Sequence, residues 1–171
     1  MQLEPDALAR YAATGSHAAF REVVQAAMPM VMGTAMRRTG GQRAMAEDIA
    51  QLVFIDLARQ AKSVRADTLS GWLYRHTCFT AAKIMRGERR RVQRERISAE
   101  SRSSSGDTGA GAIDDLLLGM EEADRQALLL RYVDGRSHDE VAAALGITRA
   151  AAQQRTERAL ARLRALHRAD L

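Results

Sequence analysis

Six side chains within eleven residues, Thr148, Arg149, Gln153, Gln154, Arg155 and Arg158, carry the hydrogen-bonding chemistry that grips phosphates and reads base edges. A glutamine amide can pair with adenine, and an arginine with guanine or a phosphate oxygen. Between 148 and 168 the chain has six Arg and one Glu, a local charge of +5. A merely solvated helix face would more usually mix the signs in i,i+4 pairs. Nucleic acid is therefore the better explanation of this stretch. At about 100° per residue, Ala152, Ala159, Leu160, Leu163 and Leu166 gather on one side of a helix. Ala150, Gln154, Arg158 and Arg162 lie largely on the other, with Arg149 and Gln153 near its start.

That helix needs a scaffold, and the preceding residues supply one. Ser137 can cap a short helix, with Glu140 completing a capping box three residues on. Val141 and Leu145 form its apolar stripe. Gly146 ends it where a left-handed residue is cheapest, Ile147 can plug the corner, and Thr148 caps the next helix. Two helices joined by so tight a turn form the helix-turn-helix pattern, whose second helix enters the major groove. An ordinary αα-hairpin packed in a core is the competing reading, and the arginines weigh against it.

Composition narrows the class further. The 171 residues suffice for one ordinary domain or two small ones. Aromatics are 4% while Ala, Leu and Arg dominate, and no alternating apolar run reads as a strand. The expected fold is all-α. Net charge is +5, unevenly spread: residues 1–96 carry +7, 97–147 carry −6 and 148–171 carry +4. Two basic zones flanking an acidic middle fit two separate contacts to a polyanion. Cys78 is the sole cysteine, so no intramolecular disulfide can form, and its place within a helix suggests a buried, inert thiol. The four histidines are dispersed, and neither a metal nor a cofactor is expected. The longest apolar region, Val23 to Met36, is interrupted and too short to span a bilayer, and the start resembles no signal peptide. No membrane insertion and a cytoplasmic location follow as expectations. No catalytic triad, carboxylate pair or Gly-rich phosphate loop is present, so no enzymatic activity is expected.

The stretch Ser98 to Gly111 is dominated by Ser and Gly and reads as a flexible tether. It divides the chain into a helical domain over 1–96, a linker over 97–112 and a second helical domain over 113–171. Periodicity predicts helices at 5–13, 16–38, 43–61 and 69–94, then at 112–120, 123–134, 137–145 and 148–168. The third helix places Ile49, Ala50, Val53, Phe54 and Leu57 toward a core. Asp48, Gln51 and Ile55 cluster opposite, with Leu52 beside them, a pattern suited to protein docking. The fourth ends in six Arg and two Glu between 86 and 96, which suits a phosphate backbone. Trp72 could stack on an unpaired base, although a core position is the expectation for a single tryptophan.

Glu47-Asp48-x-x-Gln51-x-x-Phe54, then Trp72-Leu73-Tyr74-Arg75 and an Arg-rich helix end, resemble region 2 of sigma-70-type transcription initiation factors. The stretch Leu128 to Ile147 is similar to their region 4. With only these two regions and a short tether, the likeness is to the extracytoplasmic-function (ECF) subgroup of these bacterial factors. The chain departs from the family's frequent Pro-Gly-Thr-Val at the recognition helix, where Arg149-Ala150-Ala151-Ala152 stands, and from its Leu-Pro before region 4, where Glu122-Ala123 stands.

The resemblance implies core RNA polymerase as partner, through the β′ clamp helices and the β flap. Asp48, Gln51, Leu52 and Ile55 would dock on the clamp helices. Lys62, Arg65, Arg75 and Lys83 would engage the opened −10 element of promoter DNA, and Arg86, Arg89 and Arg90 the duplex phosphates upstream. Arg149, Gln153, Gln154 and Arg158 would lie nearest base edges of the −35 element, beside Thr148, with Arg155 on phosphate. The acidic middle would suit a cationic channel near the RNA exit path. An anti-sigma protein is a further partner such factors can have. The alternatives are a stand-alone helix-turn-helix regulator that binds an operator, and an adaptor that binds polymerase or an anti-sigma protein without reading DNA.

Overall fold

The structure, a computed structural model, describes residues 5–97 and 111–169. Its α-helices are α1 (Pro5–Thr14), α2 (His17–Arg38), α3 (Arg43–Gln60), α4 (Leu69–Ile97), α5 (Ala112–Gly119), α6 (Glu122–Tyr132), α7 (His138–Leu145) and α8 (Arg149–Ala169). No strand occurs among the described residues, so the chain is all-α as expected. Nearly all of the Ser/Gly-rich tether lies outside the described residues.

The first four helices bundle around Leu8, Val23, Val31, Ile49, Val53, Leu57 and Leu73, all at most 2% exposed. Burying each such side chain contributes about 1.5–3 kcal/mol. Ser16 caps α2 by accepting the Ala19 N–H at 3.4 Å. The turn after α2 needs left-handed backbone, which Gly40 (φ 61°) and Gly41 (φ 84°) supply. The polar loop after α3 contains one 3-10 turn, Ala66–Thr68. Helix α4 runs to Ile97 rather than stopping near 94, because Arg, Gln and Glu are good helix formers and nothing in the sequence ends it earlier.

In the second half each local signal is realised. The Ser137 hydroxyl accepts the Glu140 N–H at 3.3 Å, and the Glu140 carboxylate accepts the Ser137 N–H at 2.7 Å. Those bonds hold the Glu140 carboxyl below its ordinary range. Gly146 sits at φ 66°, and the following Ile147 N–H reaches back to the Ala142 carbonyl at 3.0 Å. Thr148 accepts the Ala151 N–H at 3.2 Å, opening α8. Ile147 packs against the core of Ala127, Leu130, Val141, Ala142, Ala144 and Ala152, fixing the angle between α7 and α8.

The halves also share a core. Tyr74 and Cys78 of α4 pack with Leu117 and Met120 at the end of α5, Leu128 and Leu129 of α6, and Ala159 of α8. Burial there pushes the Cys78 thiol up to about 11, which makes it a poor nucleophile.

Candidate nucleic-acid interface

Three surfaces carry the predicted site residues. On α3, Ile49, Ala50, Val53, Phe54 and Leu57 are buried, which turns Asp48, Gln51, Leu52 and Ile55 outward. Leu52 is 44% exposed and Ile55 37%. Two aliphatic side chains thus meet water beside a carboxylate and an amide, a combination suited to a protein partner. Asp56, one residue further, is occupied by His76 Nε2 at 2.9 Å.

The second surface is the loop after α3 and the outer face of α4. Lys62, Arg65, Arg75, Lys83, Arg86, Arg89 and Arg90 are all exposed. Helical geometry gathers Arg75, Lys83, Arg86 and Arg90 within a sector of roughly 100°, with Arg89 at its border. Phe79 lies in the middle of that sector and is 64% exposed. An aromatic ring standing in water among cations has the residue types from which a stacking platform for a base can be built. The sequence reading did not single out Phe79, although its spacing of four residues from both Arg75 and Lys83 carries the signal. Trp72 instead leans on the bundle core and stacks on the His76 ring at 4.5 Å and 10°. Two of the predicted cations touch the other half of the chain. Arg65 donates to the Ala144 carbonyl at 3.2 Å, and Arg75 lies 3.6 Å from Glu122.

The third surface is the start of α8. Thr148, Arg149, Gln153 and Gln154 are exposed, and Arg155 is half-buried. Arg149 lies 3.6 Å from Asp139, and Gln153 donates to Glu157 at 2.9 Å. Both contacts are at the surface, where exchange for a DNA contact costs little. Arg158 is placed differently. Its Nε and Nη2 donate to Asp124 at 2.9 and 2.5 Å, and Asp124 is only 1% exposed. The pair ties α8 to α6, commits one bidentate edge of the guanidinium within the domain, and holds the Asp124 carboxyl below its ordinary range. Arg125 is likewise structural: 4% exposed, it donates to the carbonyls of Leu117, Leu118 and Met120 at the end of α5. Among the described residues, no three His, Cys, Asp or Glu side chains gather as a metal site.

Comparison with known proteins matches the two halves separately. The family described as Sigma-70 region 2 matches residues 23–91, and that described as Sigma-70, region 4 matches residues 110–163. The ECF RNA polymerase sigma factor SigE of Mycolicibacterium smegmatis is 30% identical over 175 residues, spanning 94% of this chain and 67% of that protein. Among solved structures, CnrH in complex with the cytosolic domain of CnrY aligns with 98% of this chain and 100% of that chain, at 23% identity and TM-score 0.48. The sigma factor RpoE of Bartonella quintana, in complex with the anti-sigma factor NepR, aligns with 89% of this chain and 98% of that chain, at 19% identity and TM-score 0.41. Two sigma-70 regions in this order, and a relative that matches nearly the whole chain, show that this protein belongs to the sigma-70 family as an extracytoplasmic-function sigma factor.

Proposed function

We propose that this protein binds core RNA polymerase through the outer face of α3, reads a −35 element with the start of α8, and captures the opened −10 element on the loop after α3 and the outer face of α4. The observation that carries this reading is the exposed Leu52–Ile55 pair beside two separate basic surfaces. A DNA-binding regulator acting alone has no use for the apolar face. The protein catalyses nothing itself; nucleotide addition belongs to the polymerase.

Opening a duplex costs a few kcal/mol per unstacked base. Stacking on an aromatic ring returns about 1–3 kcal/mol per base, and cations along the strand add a salt-dependent share. Phe79 among Arg75, Lys83 and Arg86 has the residue types for both. Phe79→Ala is expected to weaken binding of single-stranded DNA by about 1–3 kcal/mol while leaving duplex binding unchanged, read by fluorescence anisotropy on the two probes. An equal loss on both probes would remove the stacking role. In this account Arg149, Gln153 and Gln154 face base edges, Arg155 faces phosphate, and Arg158 positions α8. An anti-sigma protein fits the same exposed surfaces as a competitor.

The experiment for the whole reading is mixing purified protein with core polymerase and separating complexes by size. A stoichiometric complex is expected. Persistent separation of the two at micromolar concentration would overturn the proposal.

A further inference from the structure

One imidazole at the edge of the basic sector of α4 is held from two sides. The His76 ring stacks on the indole of Trp72, with centroids 4.5 Å apart and planes 10° from parallel. Trp72 is itself backed by the bundle core, so the shelf under the imidazole is firm. At the ring edge, His76 Nε2 lies 2.9 Å from Asp56 Oδ2 of α3. The other oxygen of that carboxylate, Oδ1, lies 3.7 Å from Arg59, so both are engaged. A carboxylate offers only acceptors, so Nε2 carries the hydrogen and donates it. In the neutral ring this leaves Nδ1 as an acceptor. Nδ1 has no partner among the described residues, yet it is not sealed from water. At about 100° per residue, His76 falls at the rim of the sector that holds Phe79, Lys83 and Arg86, about 20° beyond Lys83.

We propose that His76 is a specificity-determining residue for the opened −10 strand. Its Nδ1 accepts a hydrogen bond from the exocyclic amine of an unpaired adenine or cytosine, and Asp56 is the positioning residue that keeps Nδ1 an acceptor. The inference rests on the assignment of the −10 face made above. A stacking ring such as Phe79 holds any base, because every base has a π-face. Cations on the backbone position the strand and carry no sequence information. Choice among bases needs a hydrogen-bonding group held in one place with one polarity. Adenine and cytosine each present a protruding amine on the edge exposed by unpairing. Guanine has a carbonyl oxygen where adenine has its amine. Thymine has a single N–H, flanked by two carbonyl oxygens whose lone pairs would meet that of Nδ1. An imidazole free to change tautomer would present a donor as readily as an acceptor and would not discriminate. The Asp56 carboxylate removes that freedom, and the Trp72 shelf fixes the ring plane. A pair that only pinned α3 to α4 would use the same Nε2 bond, but it leaves unexplained a water-reached acceptor at the rim of the DNA sector.

Full-length protein is assembled with core polymerase and titrated with promoter fragments whose non-template −10 strand is unpaired. Each −10 base is varied in turn, at pH about 8.5, where an ordinary imidazole is neutral. Wild type is expected to prefer adenine or cytosine at one position by about tenfold, the worth of one hydrogen bond. Replacing that base by its amine-free analogue, purine for adenine or 2-pyrimidinone for cytosine, should cost the same factor. His76→Phe keeps an aromatic ring beside Trp72 but has no acceptor. It should lose the preference at that position alone and be indifferent to the analogue. Asp56→Asn has an amide that either accepts from Nε2 or donates to it, so the tautomer is no longer fixed. It should lower the preference at the same position to about threefold. Fluorescence of Trp72, the sole tryptophan, checks that the local packing is kept. Absence of any amine-dependent preference in wild type, a preference that survives His76→Phe, or equal losses at every position would each overturn the assignment. Full wild-type preference in Asp56→Asn would overturn the positioning role of that residue. Wild type that never joins core polymerase, read in the assembly step, would overturn the sigma-type reading and this inference with it.

Discussion

Replacing Gln51 and Ile55 together with aspartate is expected to lower affinity for core RNA polymerase by at least about thirtyfold, the size of a single interface hot spot of roughly 2 kcal/mol. Ile55 is 37% exposed beside Leu52 at 44%, so this face has apolar area to bury in a complex and little role in the bundle core. A carboxylate at 55 would have to be desolvated against whatever covers the isoleucine, and burying an unpaired charge is costly. The core side of α3, with Ile49, Val53 and Leu57, is untouched, so the melting temperature should stay near that of the wild type. Titration of fluorescent protein with core enzyme reads the affinity, and thermal denaturation checks the fold. Unaltered affinity would show that polymerase docks elsewhere.

The arginine and glutamine side chains of α8 are expected to divide into two classes when replaced by alanine. Arg149, Gln153 and Gln154 present hydrogen-bonding groups at the exposed start of the helix. Loss of any one that reads a base should remove about 1–3 kcal/mol of discrimination at one promoter position. Arg158→Ala should instead lower the stability of the C-terminal half and weaken binding equally across sequences, because it strips the buried Asp124 carboxylate of its bidentate partner. The pH dependence separates the classes further. Arg158 holds the Asp124 carboxyl below its ordinary range in the folded state. The stability this contributes is present above the unfolded carboxylate pKa and is lost as pH falls through the depressed folded value. Wild type should therefore lose part of its C-terminal stability on acidification, and Arg158→Ala should lack that component. Denaturant melts across the acidic range read the difference. A sequence-selective loss in Arg158→Ala with unchanged stability would return that residue to base reading.

Much of the architecture was legible because its signals are local. Ser137 with Glu140, Gly146 and Thr148 each act within three or four residues, and Gly40-Gly41 marks its own turn. The outward face of α3 was equally readable, since the helical period decides which side Ile49 and Val53 take. The role of an arginine was not. Arg158 reads from the sequence as a side chain near base edges, yet its partner is an aspartate 34 residues away, and Arg125, which the sequence does not single out, is bound to helix-end carbonyls. Asp114 and Arg37, hydrogen-bonded to each other, are 77 residues apart with the tether between them. A Ser/Gly-rich stretch announces freedom to move and says nothing of where the joined parts come to rest. Phe79 went unremarked for a different reason. Aromatic residues are presumed to lie inside, and only its exposure separates it from a core residue.

The central claim, that this chain confers promoter-specific initiation on a polymerase that lacks it, is tested most directly by reconstituted transcription. Purified protein and core enzyme are given fragmented genomic DNA from the source organism and nucleotides, and transcript start sites are mapped against reactions with core enzyme alone. Starts are expected at a small set of shared-sequence promoters and should vanish with the Gln51→Asp, Ile55→Asp double variant. Starts indistinguishable from those of core enzyme alone, with the protein bound instead to DNA sites as a dimer, would contradict it.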